Sequence, residues 1–125
     1  MSHTVFRPGE LDFQALDPAN PERSVARLSD FLTSSRANIW RLPPGARNRR
    51  HVEHAQEEMF VVLEGEATLL LGDPPERVGL PRGSIAVVPT DTPLQLRNES
   101  EDEALVLIVG APPVAGQAAY LPETD

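Results

Sequence analysis

The sequence predicts an all-β fold, a sandwich or barrel of short strands. Short apolar runs recur between Ser34 and Val109, turn signals separate them at near-regular spacing, and no central run carries helical periodicity. The 13 prolines and 8 glycines act as punctuation between strands.

The first 33 residues form a mixed entry segment. Asn20-Pro21-Glu22 resembles a helix start, with asparagine as cap and proline at the first position. Ser24 to Leu28 reads equally as an edge strand, and the β character of the central region favours the strand. Ser35 to Leu42 is a strand stopped by Pro43-Pro44-Gly45. Met59 to Leu63 turns at Glu64-Gly65 into Glu66 to Leu71. Gly72-Asp73-Pro74-Pro75 is a turn, because two prolines do not fit a central strand. Arg77 to Leu80, Ser84 to Val88, Leu94 to Asn98 and Ala104 to Val109 complete the set. The tail from Ala111 to Gln117 reads as extended, neither regular strand nor helix, with Tyr120 and Leu121 as anchors.

The expected organisation is one domain of 125 residues: an N-terminal cover segment at 1–33, a β-barrel at 34–110 and an extended C-terminal tail at 111–125. Met59-Phe60-Val61-Val62-Leu63 and Leu105-Val106-Leu107-Ile108-Val109 are apolar on both faces. A strand has two faces and a small barrel buries only one in its core. The other face needs a cover: a second subunit, which makes a homodimer the favoured expectation, or the chain's own termini.

Composition excludes several classes. With no cysteine there are no disulfides, thiolate zinc sites or cysteine nucleophiles. All 11 basic residues are arginine, and 19 acidic residues bring the net charge to -8, which disfavours nucleic acid as a partner. No apolar run approaches the roughly 18 residues of a membrane span, and the first residues lack the blocks of a signal peptide. The expected location is cytoplasmic and the expected partner is a small-molecule ligand. There is no phosphate-binding glycine loop and no nucleophile elbow, and with only His3, His51 and His54 available a serine triad is not supported.

Two spaced sets remain. Gly45 is followed by five residues and His51, then Glu53, Glu58 and Gly65; Gly83 is followed by five residues and Pro89, then Asp91, Leu94 and Asn98. The spacing of both sets resembles the paired motifs of the cupin superfamily. Arg41 to Arg47 resembles the entry to the first motif in small bacterial single-domain cupins, and Phe60 to Glu66 the strand and turn after the motif glutamate. The resemblance implies a double-stranded β-helix, a jelly-roll barrel, with a metal site inside built from three histidines and a glutamate. Here Glu53 stands at the second histidine position, Leu94 at the second-motif histidine position and Asp91 at a glycine position, which aspartate tolerates at positive φ.

Carried onto this chain, the implied metal residues are His51, Glu53 and Glu58. His51 and Glu53, two apart on a strand, share a face, and Glu58 meets them from the next strand. One imidazole and two carboxylates suit a divalent ion such as Mn, Fe, Ni or Zn. The alternative is a relic, with Glu53 in water at the barrel mouth and Glu58 held by arginine or backbone. His54 faces away and reads as a solvated turn residue. Phe60 and Leu94 line the implied pocket, Trp40 either stacks on a ligand or belongs to the core, and Arg49, with Arg47 and Arg50, either draws an anionic ligand to the mouth or pairs with Glu53, Glu57 and nearby acids. Three functions are compatible with this pattern: a barrel that binds a small molecule without a full metal site, a metal-dependent enzyme of dioxygenase or isomerase type, and a non-catalytic assembly barrel.

Overall fold

The structure, a computed structural model, describes residues 2–17, 20–114 and 118–124. Two antiparallel sheets face each other. The first comprises β1 (Gln14–Asp17), β2 (Asn20–Ala26), β3 (Arg36–Leu42), β10 (Ala104–Ala111), β5 (Glu57–Glu64) and β8 (Ile85–Val88), in that spatial order. The second comprises β11 (Ala118–Tyr120), β4 (His51–Glu53), β9 (Leu94–Arg97), β6 (Ala67–Leu71) and β7 (Glu76–Leu80). This is the double-stranded β-helix that the resemblance implies. Chain neighbours β4 and β5 lie in different sheets, which carries Glu58 over to face His51.

The core lies between the sheets. Leu42, Phe60, Val62, Leu69, Leu94, Leu96 and Val106 are all buried there. Strand β5 shows the alternation that makes this possible: Glu58, Phe60 and Val62 point inward and are buried, while Met59 and Leu63 are exposed on the other side. The turns fall where glycine and proline predict them. Gly65 has φ +68°, and a Cβ there would collide with the Glu103 carbonyl oxygen. Asp91 takes φ 64° in place of the motif glycine, as its short polar side chain permits.

Both termini contribute more regular structure than the sequence suggests. The Asn20-Pro21 stretch opens strand β2, so the helical alternative is excluded, and β1 and β2 extend the first sheet beyond β3. A short 3₁₀-helix, Leu28–Phe31, comes next. Its Ser29 hydroxyl donates to the Ala37 carbonyl at 3.1 Å and accepts the Ala37 N–H at 3.0 Å. Ala111, the first residue of the predicted extension, still belongs to β10, and past that extension Ala118–Tyr120 forms an edge strand on β4. The part of the predicted extension at residues 115–117 lies outside the described residues. Beyond β11 the Leu121 N–H donates to Arg50 O at 3.0 Å, and the Gln95 amide donates to Glu123 Oε1 at 2.8 Å. Burial raises the Glu123 carboxyl, but the Gln95 and Arg50 N–H hydrogen bonds and the nearby Arg47 and Arg97 charges outweigh it and leave its pKa lowered.

The outer face of the first sheet is apolar and unevenly covered. Ile39, Leu107, Val61 and Ile85 form one cross-strand row, and Ala37, Val109, Met59 and Val87 form the next. Exposure climbs along the second row from 5% at Ala37, beneath the 3₁₀-helix, to 38% at Met59 and 73% at Val87 on the edge strand. The N-terminal segment thus covers one end of this face and leaves the other open.

Candidate functional site

A cavity of about 460 Å³ opens into the barrel between the sheets. Phe60, Leu94, Leu96 and Ile108 give it an apolar wall, and His51, Glu53 and Glu58 give it a polar one. Of the residues singled out from the sequence, Trp40, Arg49, His51, Glu53, Glu58, Phe60 and Leu94 line this one space, and Arg47, Arg50 and His54 do not. His51 on β4 sits directly across from Leu94 on β9 and from Tyr120 on β11.

The His51 ring has a defined direction. Its Nδ1 lies 3.0 Å from the Arg49 carbonyl oxygen. A carbonyl only accepts, so Nδ1 carries the proton and donates, which leaves the Nε2 lone pair turned inward when the ring is neutral. Nε2 is 3.7 Å from Glu53 Oε1 and 4.0 Å from Glu58 Oε1. One ligand atom from each of the three residues falls within 4.8 Å of the others. Glu53 and Glu58 are both buried, so Glu53 does not stand in water as the relic alternative has it, while the other half of that alternative, Glu58 held by an arginine, is met.

Sequence reasoning missed the residue that neutralises them. Arg36 on β3 donates from one terminal nitrogen to Glu58 Oε2 at 3.0 Å and lies 3.5 Å from Glu53 Oε1. Its Nε donates to Gln56 Oε1 at 2.6 Å, which holds the guanidinium in place. Burial pushes the Glu58 carboxyl above its ordinary pKa; Arg36 and His51 pull it back down, and Glu53 adds to the rise. Glu58 Oε1 is buried with no hydrogen-bond partner.

The arginines before His51 do not pair with Glu53 or Glu57. Arg47 lies 3.5 Å from Glu123. Arg50 is buried, donates to the Pro122 carbonyl at 3.0 Å and lies 3.5 Å from Asp73. Arg49 stacks over Tyr120, 3.8 Å from the ring centre. The acids that pair with Arg47 and Arg50 come from a distant turn and the tail, so proximity in sequence was no guide to them. Arg23, also missed, reaches the cavity from β2: it donates to Asn48 Oδ1 at 2.8 Å and lies over Trp40. His54 is exposed, as a turn residue should be, and pairs with Asp91 at 2.8 Å.

The donor set meets a divalent ion only in part. An inward imidazole lone pair and an unpartnered carboxylate oxygen have the form of a three-ligand cup. Against this, Arg36 already presents positive charge to both carboxylates, and apolar Leu94 stands opposite His51. The residues therefore fit a resident ion poorly while Arg36 holds its place.

Known proteins agree with the geometry. Over 80 residues the chain is 36% identical to auxin-binding protein 4 of Zea mays, covering 57% of this chain and 39% of that protein, so it spans about two fifths of that relative's length. The crystal structure of an uncharacterised conserved protein with a double-stranded β-helix domain from Klebsiella pneumoniae matches with TM-score 0.77 at 22% identity, covering 98% of this chain and 100% of that one. The polyketide cyclase RemF from Streptomyces resistomycificus matches with TM-score 0.79 at 19% identity, covering 100% of this chain and 89% of that one. At such identities the two structures speak for the fold alone. The family profile described as the cupin domain matches residues 38–110, more than half of the chain, so this protein belongs to the cupin superfamily.

Proposed function

We propose that the barrel binds a small organic molecule without a resident metal ion. The observation that carries this reading is the Arg36 guanidinium lying against both Glu53 and Glu58 inside a cavity of about 460 Å³. The guanidinium supplies the positive charge that two buried carboxylates need. A volume of this size suits a small metabolite, and its wall sets an apolar side (Phe60, Leu94, Leu96, Ile108) against convergent charged and polar groups. Two relatives whose names carry an organic ligand or substrate, auxin-binding protein 4 and the polyketide cyclase RemF, are in keeping with it.

Elemental analysis of protein purified without a histidine tag tests it. The expected content is below about a tenth of an equivalent of any transition metal. Near-stoichiometric Mn, Fe, Ni or Zn that disappears in Glu58→Ala overturns the reading.

That outcome belongs to a second reading, which the unpartnered Glu58 Oε1 and the inward His51 Nε2 favour: a metal-dependent enzyme of dioxygenase or isomerase type. His51, Glu53 and Glu58 would hold the ion, which supplies Lewis acidity when bound. The chain's own contributions under that reading are limited. The Arg49 carbonyl orients the imidazole, Arg36 moves off the carboxylates, and the Phe60 and Leu94 side chains keep water from the apolar side.

We also assign a second copy of the chain to the open outer face of β5 and β8, making the protein a homodimer. Met59, Leu63, Ile85 and Val87 are exposed there with no charged side chain between them in the cross-strand rows. Two copies of a chain with net charge -8 meet at least cost through an uncharged face.

A further inference from the structure

Resting on the reading of the barrel as a small-molecule site, we infer that its ligand is an organic monocarboxylate, held at the cavity mouth by Arg23 and Arg49 with its apolar body against Phe60, Leu94 and Ile108.

The cavity carries an excess of positive charge. Three arginines and two glutamates line it, so the guanidiniums outnumber the carboxylates by one. This excess sits in a chain of net charge -8. A concave, low-dielectric wall focuses such a local field and concentrates ligands of the opposite sign. An excess of one guanidinium matches a monoanion better than a dianion.

Two guanidiniums at the mouth also have no acidic partner among the described residues. Seven of the 11 arginines pair with a carboxylate among the described residues. Arg23 and Arg49 are not among the seven, although acids outnumber arginines 19 to 11. The partners of Arg23 are uncharged: Asn48 Oδ1 at 2.8 Å and the Arg47 carbonyl at 3.2 Å. Arg49 has the Tyr120 ring beneath it.

Aromatic rings hold both groups beside the cavity. The Arg49 guanidinium carbon lies 3.8 Å from the Tyr120 ring centre and that of Arg23 lies 5.5 Å from the Trp40 ring centre, both within cation–π range. Guanidinium N–H bonds lie in the plane of the group, so Arg49, lying over its ring, keeps an edge that can fork onto a carboxylate, while Arg23 spends Nη1 on Asn48 and the Arg47 carbonyl and would add its remaining N–H groups. The rings also limit the freedom of both side chains, which lowers the ordering cost of binding. Tyr120 stands in β11, so the C-terminal strand builds half of this mouth.

Trp40, the sole tryptophan, lines the cavity and reports occupancy through its fluorescence and its indole N–H resonance. The full chain is titrated with hydrocinnamate, its neutral isostere hydrocinnamamide, and phenyl phosphate in low-salt buffer at neutral pH. Hydrocinnamate should bind at least about tenfold more tightly than the amide. Arg49→Gln and Arg23→Gln should each remove most of that preference while the Trp40 signal of the free protein keeps its native dispersion. Equal affinity for the acid and the amide overturns the anion assignment and leaves the small-molecule reading standing. Tighter binding of phenyl phosphate overturns the carboxylate assignment. No shift of the Trp40 signals by any of the three overturns this inference and the reading it rests on.

Discussion

Arg36 and Glu58 stand on either side of Gly110 in one cross-strand row, and their side chains meet over it with 3.0 Å between guanidinium and carboxylate. The two strands are separated by β10, so the backbones lie roughly 10 Å apart. The bridge closes because residue 110 has no side chain. A Cβ at that position would come within 3.0 Å of Gln56 Oε1 and 3.5 Å of Arg36 Nε. Gly110→Val should therefore displace the Arg36–Gln56 pair and destabilise the protein by about 2–4 kcal/mol, through overpacking and a weakened buried ion pair. Urea unfolding measures this, and Gly110→Ala should cost less. A neutral effect of valine would mean that Arg36 does not lie over Gly110.

The pH dependence of stability is set in part by Glu58. Its carboxyl is raised above the ordinary value of about 4.5, chiefly by burial. Between that value and the folded-state pKa the native state holds a proton that the unfolded chain has released. Native protein then binds more protons than unfolded protein, so stability falls as pH rises through this window and levels off above it. Glu58→Gln removes the titration and should flatten that part of the curve. Chemical denaturation in steps from pH 4.5 upward tests it, and a wild-type curve that rises through the window relative to the Gln variant would reverse the sign.

The frame of the site was legible because its parts are close in sequence and of diagnostic types. His51, Glu53 and Glu58 fall within one strand–turn–strand passage, and Gly45, Gly65 and Asp91 occupy turns that need positive φ. Leu94 was placed beside His51 by motif spacing, and β4 and β9 pair them in register. Arg36 was not legible. It lies 22 residues before Glu58, on a strand whose inward residues carry no motif, and only the insertion of β10 between β3 and β5 brings the two together. Strand β11 was equally hidden: Ala118 and Ala119 have low strand preference, and pairing with β4 and the Glu123 and Arg50 contacts hold the tail in place.

Leu94→His places a second imidazole directly across from His51. With Glu53 on β4 and Glu58 facing them from β5 of the other sheet, this makes a four-residue donor set. Zinc affinity measured by calorimetry should rise at least about tenfold over wild type, in line with adding a ligand to a preformed cup. Combining it with Arg36→Met should raise affinity further, because the competing guanidinium is gone. If Leu94→His binds zinc no better than wild type, the imidazole does not reach the Glu53–Glu58 wall.

The outer face of the first sheet tests assembly. Val87 is 73% exposed on edge strand β8 and Met59 beside it is 38% exposed, so a charge at either position costs an isolated chain about 0.5 kcal/mol or less. In a dimer sealed over this face the same charge is buried without a partner, and the penalty grows to several kcal/mol. Sedimentation equilibrium at micromolar concentration should give twice the chain mass for wild type and the single chain mass for Val87→Glu. The variant should also lose the concentration dependence of its melting temperature, which linkage requires of a dissociating dimer. A wild-type protein that sediments as a monomer with undiminished stability would show that the 3₁₀-helix and N-terminal segment over Ala37 and Ile39 provide all the cover this sheet needs.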